Sequence, residues 1–374
     1  MADLFFYGTL RHVPLLSLVL GRDVPELREA VLPGYAVRRA KGQPFPLIVP
    51  TPGGQARGVF MPGLSEEDVA RLDFYEGGFA FDLIDERVCT TDGEKAARVY
   101  LPHDGAWQIG PLWSLEAWAD EWADMTVIAA REVMDRFGHQ TAEEIRPLLP
   151  FFRARAWANI LARKAAPQTL RTAMTMDDVE IVRKREGYDG FFRIKAFDLR
   201  HRRFDGGRSE VFPREAFIAW DAALVLPYDP VHDTVMLIEQ LRYGPIHRGD
   251  PAPWVLEPIA GLVDLGEAPE ETARREAVEE AGLRIDRIEP ILAAYPSPGY
   301  STEFFHMFLG LCDLSERAAQ GQGGLDHENE DIRNHVIPFD QAMALVESGE
   351  INAVPLAMML LWLAGRRAGL RRAV

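Results

Sequence analysis

The sequence predicts a protein of mixed α+β and α/β class. A small α+β barrel comes first, a helical connector follows, and a C-terminal sheet is covered on both sides by helices. Three observations lead there. At 374 residues the chain exceeds the usual size of one domain. Residues 1 to about 104 carry short apolar runs broken by Gly and Pro, and residues about 112 to 165 repeat apolar side chains at helical intervals. From about residue 175 onward, strand and helix patterns alternate. The expected domains are therefore 1–110, 111–170 and 171–374.

In the first region Leu4-Phe5-Phe6-Tyr7-Gly8, Leu47-Ile48-Val49-Pro50, Gly58-Val59-Phe60-Met61 and Ala97-Arg98-Val99-Tyr100 read as strands of a small barrel or sheet. In the second, Trp113, Trp118, Trp122, Met125, Ile128, Val133 and Phe137 give a helical stripe. Pro147 and Pro150 divide that stretch and Pro167 closes it. Packing between domains is the expected use of these tryptophans. In the third, Ala222 to Leu226 and Val235 to Ile238 read as buried strands, with helices over about Pro269 to Ala281 and Pro355 to Ala364. No internal repeat or low-complexity segment stands out.

Composition narrows the function classes. Hydrophobic residues make up 47% and charged residues 26%, ordinary values for a protein with sizeable cores. A formal net charge of −16 argues against non-specific binding to nucleic acid or an anionic membrane, which needs a basic footprint. A polyphosphate substrate would need local arginines and metal to offset that field. Cys89 and Cys312 lack metal-ligand spacing and read as reduced thiols. No apolar run reaches membrane-span length, and Met1-Ala2-Asp3 lacks a basic signal-peptide start, so a cytoplasmic protein is expected.

The chemistry concentrates between Gly261 and Leu283. Here Gly261, Glu267, Arg275-Glu276, Glu279-Glu280 and Gly282 stand at fixed offsets. On a helix from about Pro269 to Ala281, Glu276, Glu279 and Glu280 occupy i, i+3 and i+4, so three carboxylates share one face. Such a face repels itself until hard divalent cations with oxygen ligands neutralise it. Thr272, Ala273, Ala277 and Val278 are expected on the opposite side, against a sheet. Gly282 reads as the helix stop, and Gly261 and Gly266 as glycines that let the preceding loop turn.

These offsets resemble the Nudix box, the pyrophosphohydrolase signature; only Ala277 is smaller than the usual aliphatic. Over roughly the last 200 residues the chain is similar to bacterial ADP-ribose pyrophosphatases. The resemblance is carried by Val179 to Val182 with Gly190-Phe191-Phe192, by Leu237 to Arg242, by Trp254 to Glu257, by Ser297-Pro298-Gly299, and by Glu328 to Arg333. It implies an α/β/α sandwich with a mixed sheet that hydrolyses ADP-ribose, or a related nucleoside diphosphate sugar, to AMP and ribose 5-phosphate.

It further implies Mg²⁺, or Mn²⁺ in its place, held by the carbonyl of Ala260 and by Glu276, Glu280 and Glu330, with Glu279 as a further metal or water ligand. Glu328 would activate water. Substrate contacts fall on Arg242, Glu257 and Phe192, and on Arg214 and Glu215 from a partner subunit of a homodimer. Glu267 and Arg275 would pair and fasten the loop to the helix. Residues Gln320 to Gly324 read as a flexible approach to the Glu328 loop. A sensor of ADP-ribose-like ligands is the rival reading; the complete glutamate set favours catalysis.

Phe6 to Arg11, Leu32 to Tyr35, Gly58 to Phe60 and Leu72 to Gly77 resemble the γ-glutamylcyclotransferase superfamily. That resemblance implies a glutamyl-binding loop of Tyr7, Gly8, Thr9 and Leu10, with Glu76 as the acid/base; a binding or structural domain is the alternative. The combined arrangement is similar to Nudix proteins associated with tellurite resistance, an association that names no reaction.

Overall fold

Strict alternation along the first strand, β1 (Ala2–Phe6), divides the N-terminal half into two cores. Leu4 and Phe6 face a helical layer, while Phe5 and the following Tyr7 face the inside of a barrel. The remaining elements of this half are α1 (Val13–Leu20), β2 (Arg28–Ala40), β3 (Pro46–Leu64), α2 (Glu66–Glu76), β4 (Phe81–Thr90), β5 (Gly93–Pro102), β6 (Ile109–Leu112), α3 (Leu115–Met134), α4 (Ala142–Ile145) and α5 (Leu149–Leu161). The strands run in the order β3-β1-β5-β4-β2-β6, and a further pairing of β2 with β3 closes five of them into a barrel. Phe5, Leu32, Ile48, Phe60, Val88 and Val99 fill its interior. Gly58 is a glycine by necessity, since a Cβ there would stand 2.4 Å from Phe5 Cζ.

The computed structural model describes residues 1–24, 27–77, 81–103, 105–164, 168–317, 320–324 and 330–373. It forms two compact units, Met1–Lys164 and Ala165–Val374. The helical stretch expected as a connector is thus built into the first unit. Trp118, Ala130, Val133, Leu149 and Phe152 share one core with Leu4, Leu15 and Leu72, and Trp113 and Trp122 pack against it. The tryptophan stripe therefore packs within a unit; periodicity reveals a buried face but not what covers it. Buried Arg155 on α5 donates to both oxygens of buried Glu132 on α3, and Arg136 Nη1 donates to the Glu132 carbonyl at 2.7 Å. Charges this buried persist only when paired.

The second unit opens with a three-stranded antiparallel sheet of β7 (Val179–Asp189), β8 (Arg193–His201) and β9 (Phe212–Ile218). Its main sheet has eight strands: β10 (Asp221–Asp229), β11 (Thr234–Leu241), β12 (Trp254–Glu257), β13 (Ile259–Leu262), β14 (Arg287–Ala294), β15 (Phe304–Leu311), β16 (Gln320–Gly323) and β17 (Ile332–Pro338). The order is β14-β15-β10-β11-β17-β16, with β12 on β11 and β13 on β10; the β10–β15 pair is parallel, which makes the sheet mixed. Helices along this half are α6 (Tyr243–Arg248), α7 (Pro269–Ala281), α8 (Phe339–Ser348), α9 (Val354–Ala364) and α10 (Arg367–Arg372). Leu224, Leu226, Leu237 and Leu309 pack under α8 and α9, and α7 lies on β13 and β10. The result is the expected α/β/α sandwich. Among the described residues no helix is long and apolar enough to cross a membrane.

Two local expectations fail. Gln320 to Gly323 is a strand, paired with β17 from Gln320↔His335 to Gly323↔Ile332. A backbone ladder needs no apolar side chains, so its Gln-Gly composition concealed it. Val278 is 52% exposed, and buried Glu280 takes the sheet-facing position expected of an apolar residue.

Candidate active sites

The C-terminal site forms where α7 meets β13. Pro269 opens the helix in its first turn, and Gly282 closes it in the left-handed region at φ +57°, where its N–H donates to Val278 O at 2.9 Å. The face turned to the sheet carries Ala273 and Ala277, and with them Glu280, which is 3% exposed. Ala260 N–H donates to Glu280 Oε2 at 3.1 Å. A Cβ on Gly261 would lie 1.8 Å from Glu276 Oε1, so this glycine serves close approach of a carboxylate, not a turn. Gly266, at φ +79°, is the one that turns the loop.

Arg275 ties the parts together. It donates to both oxygens of Glu267 at 3.1 Å each, to Glu276 Oε1 at 2.6 Å, to Glu279 Oε2 at 2.9 Å and to the Leu262 carbonyl at 3.2 Å. Thr272 Oγ1 adds a bond to Glu267 Oε2 at 2.7 Å. The loop before α7 is therefore clamped to the helix from Glu267.

Burial raises the Glu276 carboxyl to about 7, against the opposing pull of Arg275; Glu279 and Glu330 raise it further. Burial also lifts Glu280 well above the usual carboxylate range, with Glu276 and Glu330 adding repulsion. Anions gathered at such cost call for a cation. Carboxylate oxygens at Glu276 and at Glu280, which is bonded to the Ala260 backbone, with Glu330 in electrostatic reach, are the kind of ligand a hard divalent ion takes. A separate group, Asp229, His232 and Asp313, does not need one. Asp229 already accepts from the Val231, His232 and Leu314 N–H groups at 2.9–3.0 Å and meets His232 Nδ1 at 2.8 Å, so it staples a turn.

Arg242, just past β11, donates through Nε to Glu257 Oε2 at 2.6 Å. It also lies within electrostatic reach of Glu280 and of half-buried Glu303. A polar cleft of about 320 Å³ opens among Glu239, Trp254, Gln322, Asp331, Ile332 and Arg333. The stem of β16 touches the site so closely that only glycine fits: a Cβ on Gly323 would stand 1.7 Å from the Glu280 carbonyl oxygen, and one on Gly324 would stand 2.8 Å from the Glu330 carbonyl oxygen.

The N-terminal unit has its own cavity, of about 80 Å³. The segment Tyr7, Gly8, Thr9 and Leu10 leaves β1 into a single 3-10 turn and lines one side. Glu76, the last residue of α2, lines it as well, among Tyr75, Phe81, Tyr100 and Arg153. Burial raises the Glu76 carboxyl to about 8, and nearby Asp73 pushes the same way. Asp73 itself is held by Tyr100, whose hydroxyl donates to Oδ1 at 2.7 Å.

Residues 220–357 match the family described as the NUDIX domain, and residues 4–120 match the family described as gamma-glutamyl cyclotransferase, AIG2-like. The ADP-ribose pyrophosphatase of Escherichia coli (strain K12) is 42% identical over 197 residues, which cover 53% of this chain and 93% of the relative. The chain belongs to the Nudix hydrolase family. The ADP-ribose pyrophosphatase of Haemophilus influenzae is 39% identical over 50% of this chain and 87% of its own length. The GDP-mannose pyrophosphatase of Pectobacterium atrosepticum is 35% identical over 49% and 92%. The NUDIX match falls within the second unit and the AIG2-like match within the first.

The structure thus brings Gly261, Glu267, Arg275, Glu276, Glu279, Glu280 and Gly282 of the Nudix box, and Ala260 just before it, into one assembly, with Glu330 and Arg242 in electrostatic reach. Glu328 lies outside the described residues. Phe192 packs in an aromatic group with Phe191, Phe217 and Trp220. Arg214 donates to the Pro213 carbonyl and lies over the Phe212 ring, and Glu215 sits beside it on β9; no described contact joins either to the box. Reading the sequence missed Glu303, and it took Gly323 and Gly324 as part of a flexible approach and not as a close backbone contact. The paired glycines are the one signal that marked a close backbone approach there.

Proposed function

We propose that the C-terminal unit hydrolyses ADP-ribose to AMP and ribose 5-phosphate. The observation that carries this is the cradle of Glu276 and Glu280, wedged against a β13 backbone that only glycine at 261 permits. The 42% identity to an ADP-ribose pyrophosphatase across 93% of its length supports the substrate, and the more distant GDP-mannose pyrophosphatase marks the competing one.

Glu276, Glu280, Glu330 and the Ala260 carbonyl would hold Mg²⁺, with Mn²⁺ as the alternative. A divalent cation, when bound, supplies the positive charge that offsets the diphosphate. Arg242, aligned by Glu257, offers a guanidinium that matches phosphate oxygens bidentately. Glu328 is proposed to take the proton from the attacking water, by resemblance. The exposed Ile181, Val182, Tyr188, Phe191 and Phe192 on β7 and the turn to β8 support a homodimer. The test is release of AMP from ADP-ribose, GDP-mannose and UDP-glucose with Mg²⁺. Fast release from ADP-ribose alone supports the reading, and preference for GDP-mannose overturns the substrate. Binding of ADP-ribose without turnover would make the unit a sensor.

For the N-terminal unit we propose γ-glutamyl cyclotransfer, because Glu76 enters the same cavity as the Tyr7–Leu10 segment. The α-amine of a γ-glutamyl donor attacks its own γ-carbonyl and the amide C–N bond breaks. Glu76 carries the proton from the attacking nitrogen to the leaving one, a task suited to a carboxyl that titrates near neutrality. Formation of 5-oxoproline that disappears in Glu76→Gln supports this. No formation from any γ-glutamyl donor leaves a binding domain.

A further inference from the structure

Alternate residues of β11 occupy opposite faces of the main sheet. Ile238 stands opposite Glu257 on β12 and opposite Asn334 on β17, so these three share a face. Asn334 Nδ2 donates to the Glu280 main-chain carbonyl at 3.4 Å, and Glu257 accepts from Arg242. Arg242, still extended at φ −123° and ψ 138°, continues the alternation past the end of β11. Ile238, Gln240 and Arg242 therefore lie on the face that carries the contact to α7.

Gln240 is unlike its neighbours there. It is 8% exposed, and its Nε2 has no hydrogen-bond partner among the described residues. The adjoining side chains cannot supply one. Val255 stands opposite it on β12, and the β11–β17 register sets buried Ile332 on its other side. Ile238 precedes it on the same face, and Arg242 follows with a guanidinium that only donates. A buried donor left unpaired costs stability, which makes this amide a feature to be explained. We propose that Gln240 is a substrate-binding residue of the C-terminal site, and that its side-chain amide donates to the diphosphate of a bound nucleoside diphosphate sugar beside Arg242.

Place and chemistry select that partner. Two residues apart on one face, Gln240 and Arg242 stand about 7 Å from each other along the strand, a spacing that adjacent phosphates of one diphosphate can bridge. The nearby carboxylates are acceptors too, but Glu280 takes the Ala260 N–H and Glu276 takes Arg275. An amide offers a donor without a second positive charge, so it needs no counter-ion while the site is empty. The last torsion of a glutamine is broad, which lets the amide turn to a ligand entering beside Arg242. The contact rests on the reading of this unit as a nucleoside diphosphate sugar hydrolase, but not on which nucleotide it takes.

The test compares the full chain with Gln240→Met, which keeps the length of the side chain among apolar neighbours. Affinity for ADP-ribose and GDP-mannose is titrated in EDTA, kcat/KM is measured with Mg²⁺, and the melting midpoint is read without ligand. Gln240→Met should weaken binding of whichever sugar the parent prefers by about tenfold, lower kcat/KM at least as much, and leave the midpoint unchanged or higher. Unchanged affinity and kcat/KM would overturn the contact while leaving the hydrolase reading in place. A lower midpoint with unchanged affinity would also overturn it, and would assign the amide to a buried water shared with Asn334, whose Oδ1 is buried and unpartnered as well. A parent that prefers GDP-mannose, with Gln240→Met still weakening it, would support the contact and overturn only the choice of ADP-ribose. A parent that neither binds nor cleaves either sugar would overturn both. If Gln240→Met fails to fold, Gln240→Glu keeps the shape and exchanges the donor for an acceptor; it should weaken both sugars by more than tenfold, and unchanged affinity there counts against the proposal.

Discussion

In the N-terminal unit Glu76 enters its cavity among aromatic rings, with Asp73 as the neighbouring acid. In the C-terminal unit Glu276 and Glu280 stand together against a strand, with Glu330 in reach. Burial raises all three carboxyls, yet the surroundings differ in what they ask for. A carboxyl raised to about 8 with few charged neighbours can hold or release one proton near neutrality. Carboxyls that also raise one another favour positive charge, of which Arg275 beside Glu276 and Arg242 near Glu280 supply part. The same physical cause, loss of water, therefore prepares one site for proton transfer and the other for a cation.

The strongest way to break that comparison is Glu280→Gln. Glutamine can still accept from Ala260 N–H, so the fold should hold while Mg²⁺-dependent turnover of ADP-ribose drops by on the order of 10²–10³-fold. The stability effect should have the opposite sign. A carboxyl raised in the folded state favours folding below its ordinary range and loses that contribution as pH rises. In EDTA at pH 8, the Gln variant should therefore melt higher than the parent, with little difference near pH 4. Retained turnover would sink the assignment of Glu280 to the cation site.

Two glycines sharpen the same site. Gly323→Ala places a Cβ 1.7 Å from a backbone oxygen of α7, which cannot yield without moving the helix, so a loss of about 3 kcal/mol is expected in urea unfolding. Gly261→Ala meets the Glu276 side chain, 1.8 Å from Oε1 and 2.5 Å from Cγ, and so displaces a side chain where Gly323→Ala displaces backbone. That variant should lose most of its turnover but only about 1 kcal/mol of stability. Equal stability losses would mean that Glu276 is not free to leave.

For Glu76 the expected effect is smaller and depends on pH. Its ionised form is the disfavoured one in the folded unit, so stability declines as pH rises from the ordinary carboxylate range through about 8. Glu76→Gln should remove that decline. Hydrogen exchange of the α2 amides should then be slower than in the parent at pH 9 by on the order of 2 kcal/mol, and indistinguishable at pH 5. A parent with no decline would mean that water reaches the carboxyl.

The bounds of α7 were legible because Pro269 and Gly282 fix its ends chemically, and the box residues because their offsets match one helix face. Which side of α7 faces the sheet was not legible. Amphipathic reasoning puts carboxylates outward, and this site turns Glu280 inward in place of Val278. The long strands β2 and β3 were visible only in pieces, because Pro and Gly interrupt their apolar runs while the backbone ladder continues through bulges. The role of the tryptophan helices was hidden for a different reason: their partners lie far away in sequence, on β1 and α1. Arg153 carries no motif, and only the fold shows that it lines the same cavity as Glu76.

The finest test compares two carboxyls on one helix. Asp68, in the first turn of α2, accepts from Arg22 Nε and Nη2 at 2.9 Å each and from Ser65 N–H at 2.9 Å, while Glu76 ends the same helix. The Arg22 bonds hold Asp68 down at about 2, against the opposing effect of burial. The helix dipole favours an anion at the first position and disfavours one at the second. A carboxyl lowered in the folded state stabilises above its ordinary range and loses that contribution as pH falls toward about 2, the reverse of Glu76. Because the Arg22 side chain is 43% exposed, solvent screens the pair, and Asp68→Asn should cost only about 1 kcal/mol at pH 7 and nothing near pH 2. If Asp68→Asn and Glu76→Gln shifted the pH dependence of α2 exchange in the same direction, surroundings would not be what separates the two groups.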